Sequence, residues 1–203
     1  MKDRPHGFRW LLAGAVGLIA AGAFASDAPE KAEIDKPTAD FKLKNLTYEA
    51  KPDDKEDAAL VALSGFKNKK NVVLFFMSEK CRATWLYEKR VGKLMKEMEK
   101  KDVAFAAVRC SAKDTPDGLV KFCEARNFDM PLLNDEKGEM TKFFGVRNTP
   151  TFVVLDKKGV LRYRGGFDDS ADEAAVKEAF LPKAVDALLA SKDVAIKESR
   201  AVG

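Results

Sequence analysis

A cysteine stands between two cations at position 81, in the stretch Ser78-Glu79-Lys80-Cys81-Arg82. A thiol attacks a peroxide or a disulfide only as its thiolate, so the residues around it decide whether it can react. Lys80 and Arg82 supply positive charge on both sides of Cys81. Two further cysteines, Cys110 and Cys123, could pair with it. The only histidine is His6, near the N-terminus, so a Cys–His couple or a histidine metal centre has no material in the rest of the chain.

The elements around Cys81 must hold it in place. The run Val72-Val-Leu-Phe-Phe-Met77 is continuously apolar, with β-branched and aromatic residues, and predicts a strand buried on both faces of a parallel sheet. After Cys81, apolar residues recur at Trp85, Val91, Leu94, Met95 and Met98, which is helical spacing. Cys81 therefore falls where a central strand hands over to a helix N-terminus. Free backbone N–H groups and the positive end of the helix dipole favour a thiolate there. The alternative is a buried cysteine that serves only as a small hydrophobe.

The chain has 203 residues, 46% hydrophobic and 33% charged, which suits one globular domain with extensions. Residues 1–25 read as a secretory signal peptide. Lys2, Arg4 and Arg9 form a positive region, Trp10 to Ala25 is uncharged and apolar, and Ala23-Phe-Ala25 precedes Ser26 as a cleavage pattern. The apolar stretch falls short of the roughly 20 residues a membrane span needs. Cleavage after Ala25 would leave a periplasmic or secreted protein with no membrane attachment, in a compartment where disulfides can form. It would remove three of the 36 Lys/Arg and one of the 32 Asp/Glu, leaving a net charge of +2, which gives no argument for a nucleic-acid partner.

Residues 26–37 are small, charged and Pro-containing, and predict a flexible N-terminus. Phe41 to Leu46 alternates as an edge strand would, and Leu60 to Leu63 is a short extended piece. Val103 to Val108 predicts a second buried strand ending at Arg109-Cys110. Asp114-Thr-Pro116 opens a helix expected to reach about Asn127. Met130 to Leu133 is a short strand and Lys137 to Phe144 a helix ended by Gly145. Thr151–Leu155 and Val160–Arg164 flank Asp156-Lys-Lys-Gly159 as a hairpin. Ser170-x-x-Glu173 reads as a capping box opening the last helical segment, which Pro182 should kink or restart. Residues 191–203 read as a polar tail, leaving 38–190 as the domain. Parallel βαβ followed by an antiparallel pair implies an α/β fold, a mixed sheet with helices on both faces.

Four passages resemble the thioredoxin superfamily, specifically its redoxin or peroxiredoxin-like (AhpC/TSA) branch. They are Phe75 to Cys81, with Ser78 in the T/S-x-x-C position; Pro131-Leu-Leu-Asn-Asp135 through Phe144-Gly-Val146; Asn148-Thr-Pro-Thr-Phe152, similar to the family's cis-proline loop; and Gly159 to Asp169. The resemblance covers about residues 38 to 199. It implies a thioredoxin-like fold and an oxidoreductase without metal or organic cofactor, acting on a peroxide or a protein disulfide with an unidentified thiol as electron donor. In that pattern Cys81 is the nucleophile, Thr149, Pro150 and Ser78 shape the substrate groove, and Lys80, Arg82 and Arg147 stabilise the thiolate. Cys110-Ser-Ala through Phe122-Cys123 is similar to bacterial thiol peroxidases, which implies Cys123 as resolving thiol, with Cys110 the second candidate.

The chain departs from the family in three places. Thr84 stands where Cys-x-x-Cys would have its second cysteine, Arg82 where proline is usual, and Arg147 lies two residues before the position expected for the peroxiredoxin arginine. These departures support an alternative, a redox-inactive module that binds partners across the cis-proline groove.

Overall fold

The computed structural model describes residues 31–55, 57–66, 70–98 and 100–201. The expected leader, residues 1–25, lies outside them. Among the described residues are seven strands: β1 (Lys42–Lys44), β2 (Leu60–Ala62), β3 (Asn71–Met77), β4 (Val103–Arg109), β5 (Leu132–Asn134), β6 (Thr151–Leu155) and β7 (Leu161–Gly165). The same residues form the helices α1 (Arg82–Met98), α2 (Pro116–Glu124), α3 (Glu139–Phe143) and α4 (Phe180–Leu189).

All seven residues of β3 are buried, as its unbroken apolar run requires. It lies at the centre of a five-stranded sheet of order β5-β4-β3-β6-β7, parallel to β4 and antiparallel to β6. Side chains alternate along it. Val73, Phe75 and Met77 face a core shared with α1, α2 and α4. Val72, Leu74 and Phe76 face a second core with α3 residues Met140 and Phe143 and with Phe144. This is the mixed sheet with helices on both faces that the sequence implies.

Two registers bring the site together. Parallel pairing of Met77 with Arg109 ends β3 and β4 at the same level. Antiparallel pairing of Phe76 with Thr151 places the start of β6, and the loop before it, at that same end. Chemistry in open α/β sheets collects at the carboxyl ends of the strands for this reason.

α1 buries Tyr87, Val91, Leu94 and Met98, a single helical stripe. It also buries Arg90, which pairs with the buried Asp168 beyond β7. Thr115 caps α2 by accepting from the Gly118 amide, and the helix ends at Glu124 rather than about Asn127. The chain turns back at Asn127, which has φ +52, so that Phe128 can join the core. The expected capping box at Ser170 does not open the last helix. Asp172 instead caps a single 3-10 turn at Glu173–Ala175, and α4 begins at Phe180, so Pro182 sits harmlessly in its first turn. The expected edge strand at Phe41–Leu46 shortens to β1, which pairs with β2 in a separate two-stranded sheet, while Asn45 just beyond it bridges Leu133 of β5.

The segments at either end of the domain lie against it. Ala32 is buried and donates its amide to Phe143 O at 2.8 Å, and Asp35 accepts from both Arg162 and Lys197. These ion pairs offset the charge of residues 31–37, within the stretch 26–37 expected to be flexible; residues 26–30 lie outside the described residues. At the other end Val194 is buried and Ser199 Oγ bonds both Tyr163 Oη and the Gly166 amide, so 194–201 follows β7. Gly165 permits this approach: a Cβ there would lie 2.7 Å from Ser199 O and from Tyr163 Oη. Gly165→Ala is expected to displace residues 194–201 and to cost about 1–3 kcal/mol. Thermal unfolding, together with faster proteolytic trimming of that segment, would show it; an unchanged Tm with a protected C-terminus would contradict it.

Candidate active site

Strand β3 ends and the chain turns within four residues, the Cys81 amide donating to Ser78 O at 3.2 Å. Cys81 then occupies the position before Arg82, the first residue of α1, where a side chain can accept from the open amides of the first turn. The sulfur is half-buried and lies 3.1 Å from Thr149 O, across the gap between β3 and the loop before β6. The Thr149–Pro150 bond is cis, as the family resemblance implies, and Pro150 itself is buried.

Opposing influences act on the Cys81 thiol. Burial is the largest and pushes its pKa up. The Thr149 side chain, the amides of Thr84 and Ala83, and the Thr84 hydroxyl all push it down, and the net displacement is below the ordinary thiol value. The contact with Thr149 O works the other way, since a carbonyl can only accept from the protonated thiol. The donors at the helix N-terminus are more numerous and outweigh it.

The cations flanking Cys81 have a smaller part than their positions suggest. Lys80 is exposed and paired with Glu79 at 3.3 Å; Arg82 and Arg147 are exposed. None is among the main influences on the thiol. Ser78 is also turned aside, donating through Oγ to the buried Asp114 carboxylate at 2.9 Å and accepting from the Lys80 amide. It shapes the turn from beneath rather than lining a groove with Thr149 and Pro150.

Two residues join the site that the sequence reading did not select. Thr84 is fully buried, its hydroxyl has no hydrogen-bond partner, and it stands close enough to Cys81 to favour the thiolate. Its place three residues after Cys81 was the available signal. Asp114 is 2% exposed; Oδ1 accepts from Ser78 and from the Lys80 amide, while Oδ2 is unpartnered. Nothing in the local sequence marks it as more than a residue at a helix start. Next to Cys81, Trp85 and Leu86 are each about half exposed at 50% and 49%, giving the first turns of α1 an apolar rim. The Trp85 indole donates to Glu79 O at 2.7 Å, and the Arg126 guanidinium lies 4.4 Å above its ring.

The other two thiols differ sharply. All three cysteines are free. Cys110 is half-buried at the end of β4, and burial, with Asp114 and Asp135 adding to it, raises its pKa to about 12. Cys123 is 1% exposed in the core beneath α2, and burial raises its pKa to about 11. Alkylation by iodoacetamide at pH 7 is therefore expected to label Cys81 first, with a pH–rate midpoint below that of a free thiol, and to leave Cys123 untouched until unfolding. Equal labelling of the three cysteines in the native protein would refute this order.

Residues 34–164 match the AhpC/TSA family. This chain belongs to the AhpC/TSA family. That match spans the sheet, the Cys81 turn and the Thr149–Pro150 loop, and places the protein in the redoxin branch of the thioredoxin superfamily, a group of thiol-dependent oxidoreductases. The chain is also similar to the thiol-disulfide oxidoreductase ResA of Bacillus cereus, 27% identical over 150 residues, covering 73% of this chain and 78% of that one. Solved structures share the AhpC/TSA fold seen here. A hypothetical protein from Sinorhizobium meliloti superposes with TM-score 0.71 at 24% identity, over 84% of this chain and 92% of its own. Peroxidoxin BcpB from Mycobacterium tuberculosis does so with TM-score 0.58 at 24% identity, over 80% and 99%.

Proposed function

We propose that this AhpC/TSA protein is an exported thiol-dependent oxidoreductase whose single nucleophile is Cys81, reducing a peroxide or a protein disulfide. The observation that carries the reading is the placement of the Cys81 sulfur: half-buried, at the start of α1, facing Thr149 O at 3.1 Å, with its thiol lowered despite burial. A peroxide or disulfide entering between Cys81 and the Thr149–Pro150 loop meets a thiolate already stabilised by the first-turn amides. Trp85 and Leu86 offer apolar contact to a substrate protein at the same edge. The likeness to ResA supports disulfide chemistry.

Export rests on the Lys2–Ala25 pattern and the Ala23-Phe-Ala25 cut. The mature chain would begin at Ser26 and carry its domain from about residue 38. The redox-inactive alternative predicts an ordinary thiol at Cys81, and the lowered thiol speaks against it. Turnover of hydrogen peroxide and of a model protein disulfide, each with a dithiol as reductant, decides between the two substrates. No consumption of either would overturn the enzymatic reading.

A further inference from the structure

A nucleophile without a neighbour in Cys-x-x-Cys must pass its oxidation to another thiol, and the strand registers favour one of the two. Because Met77 pairs with Arg109, Cys110 is level with Ser78 on the adjacent strand. Its Sγ donates to Met77 O at 3.4 Å, and it packs against the core on the α3 side of the sheet. The turn bond from the Cys81 amide to Ser78 O folds Cys81 back over the same strand end. Its sulfur contacts Thr149 O. The two cysteines thus flank the end of β3, Cys110 bonded to Met77 O and Cys81 turned back on Ser78 O. Cys123, on the inner face of α2, lies in the opposite core with Val73 and Phe75.

An electrostatic contact links the same two residues. Cys81 is among the groups that raise the Cys110 thiol, whereas the charges acting on Cys123 are Arg126 and Glu124.

Taking Cys81 as the nucleophile, as proposed above, we propose that Cys110, not Cys123, is the resolving thiol, so that the redox pair bridges the ends of β3 and β4. The Cys81 thiolate attacks a peroxide oxygen; an S–O bond forms, the O–O bond breaks, and the departing oxygen takes a proton and leaves as water or an alcohol. Cys81 becomes a sulfenic acid, oxidised by two electrons. Cys110 gives up its proton and its sulfur attacks that of Cys81; an S–S bond forms, the S–O bond breaks, and hydroxide leaves with a proton as water. The unpartnered Oδ2 of Asp114, close enough for its charge to act on Cys110, is available to take the thiol proton. Converting the Cys81 thiolate to a neutral sulfenic acid removes one of the charges that hold Cys110 protonated, so resolution follows oxidation and not the reverse. A dithiol reductant returns both residues to thiols by exchange.

The geometric demand is modest. A disulfide needs α-carbons within about 7 Å. Adjacent strands lie about 4.8 Å apart, and the ends of a tight turn within about 7 Å. Closing the 81–110 bond shifts the Ser78–Cys81 turn, while an 81–123 bond would have to unwind α2.

The test uses the reduced full chain, pulsed with one equivalent of hydrogen peroxide at pH 7, its remaining thiols blocked with N-ethylmaleimide and its peptides mapped by mass. An 81–110 link is expected as the main product, and it persists in Cys123→Ser. In Cys110→Ser it is lost and Cys81 accumulates as sulfenic acid, captured by dimedone. An 81–123 link, or oxidised Cys81 with no internal partner in the wild type, would overturn the assignment and leave Cys81 standing as the nucleophile. Absence of any oxidation at Cys81 would overturn both.

Discussion

Cys81→Ser is expected to remove peroxide and disulfide turnover by roughly 10³-fold or more while leaving the thermal unfolding of the protein nearly unchanged. The loss follows from covalent catalysis: a hydroxyl in the same place has no accessible anion at neutral pH, and removing a nucleophile collapses a mechanism whose other parts serve it. The fold should tolerate the change because Ser is close to Cys in size and can still accept from the Ala83 and Thr84 amides, as an N-cap serine does. Lys80→Ala and Arg82→Ala bound the effect from the other side. Both side chains are exposed, and exposed charges contribute at most about 1 kcal/mol, so alkylation of Cys81 should change by less than about fivefold. A tenfold loss in either variant would return the thiolate to the flanking cations. Retained turnover in Cys81→Ser would remove Cys81 from the mechanism.

The largest stability effect is expected at Arg90. Its guanidinium pairs with Asp168 inside the protein, with the two side chains 7% and 2% exposed. It also donates to Ser170 O at 2.9 Å and Ala171 O at 2.7 Å, and lies 4.0 Å from the centre of the Tyr87 ring. Tyr87 in turn donates to Asp168 at 3.1 Å, and burial together with that carboxylate pushes its pKa up to about 12. Arg90→Ala would leave Asp168 buried without its counter-charge and two carbonyls without donors. Breaking a buried pair from one side costs about 3–5 kcal/mol. For a protein of this size that corresponds to a fall in Tm of roughly 6–20 °C. Arg90→Met combined with Asp168→Leu should recover much of the loss, since no orphaned charge remains. A fall of less than about 3 °C in Arg90→Ala would show the network to be far weaker than its burial implies.

Much of the architecture was legible because local patterns and global packing agree. The apolar run at 72–77 could only be a doubly buried strand, and the hairpin around Asp156–Gly159 formed with its turn where the polar residues lie. Errors came where composition was read without partners. Residues 31–37 and 194–201 look polar enough to be free, yet Asp35, Ser199 and the buried Val194 find their counterparts on β7 and on each other's segments. Ser170 looked like a helix cap because a Glu follows three residues on, but Asp172 competes for that role and wins a shorter turn.

The site shows the same division. Sequence alone determined that Cys81 ends a central strand and begins a helix, because hydrophobic periodicity changes from a continuous run to a 3.6-residue stripe at that residue. It therefore determined that helix-terminal amides would be available to the sulfur. Tertiary structure decided which groups use that opportunity. The Thr149 contact depends on antiparallel pairing between β3 and β6, the nearness of Cys110 on parallel pairing between β3 and β4, and the enclosure of Cys123 on how α2 lies over the sheet. Each relation joins residues 29 or more positions apart in the chain, and strand register, which local sequence leaves open, fixes the first two. The flanking cations were the conspicuous feature in the sequence. In the folded protein they turn to solvent, and backbone amides with a buried threonine stand at the sulfur instead.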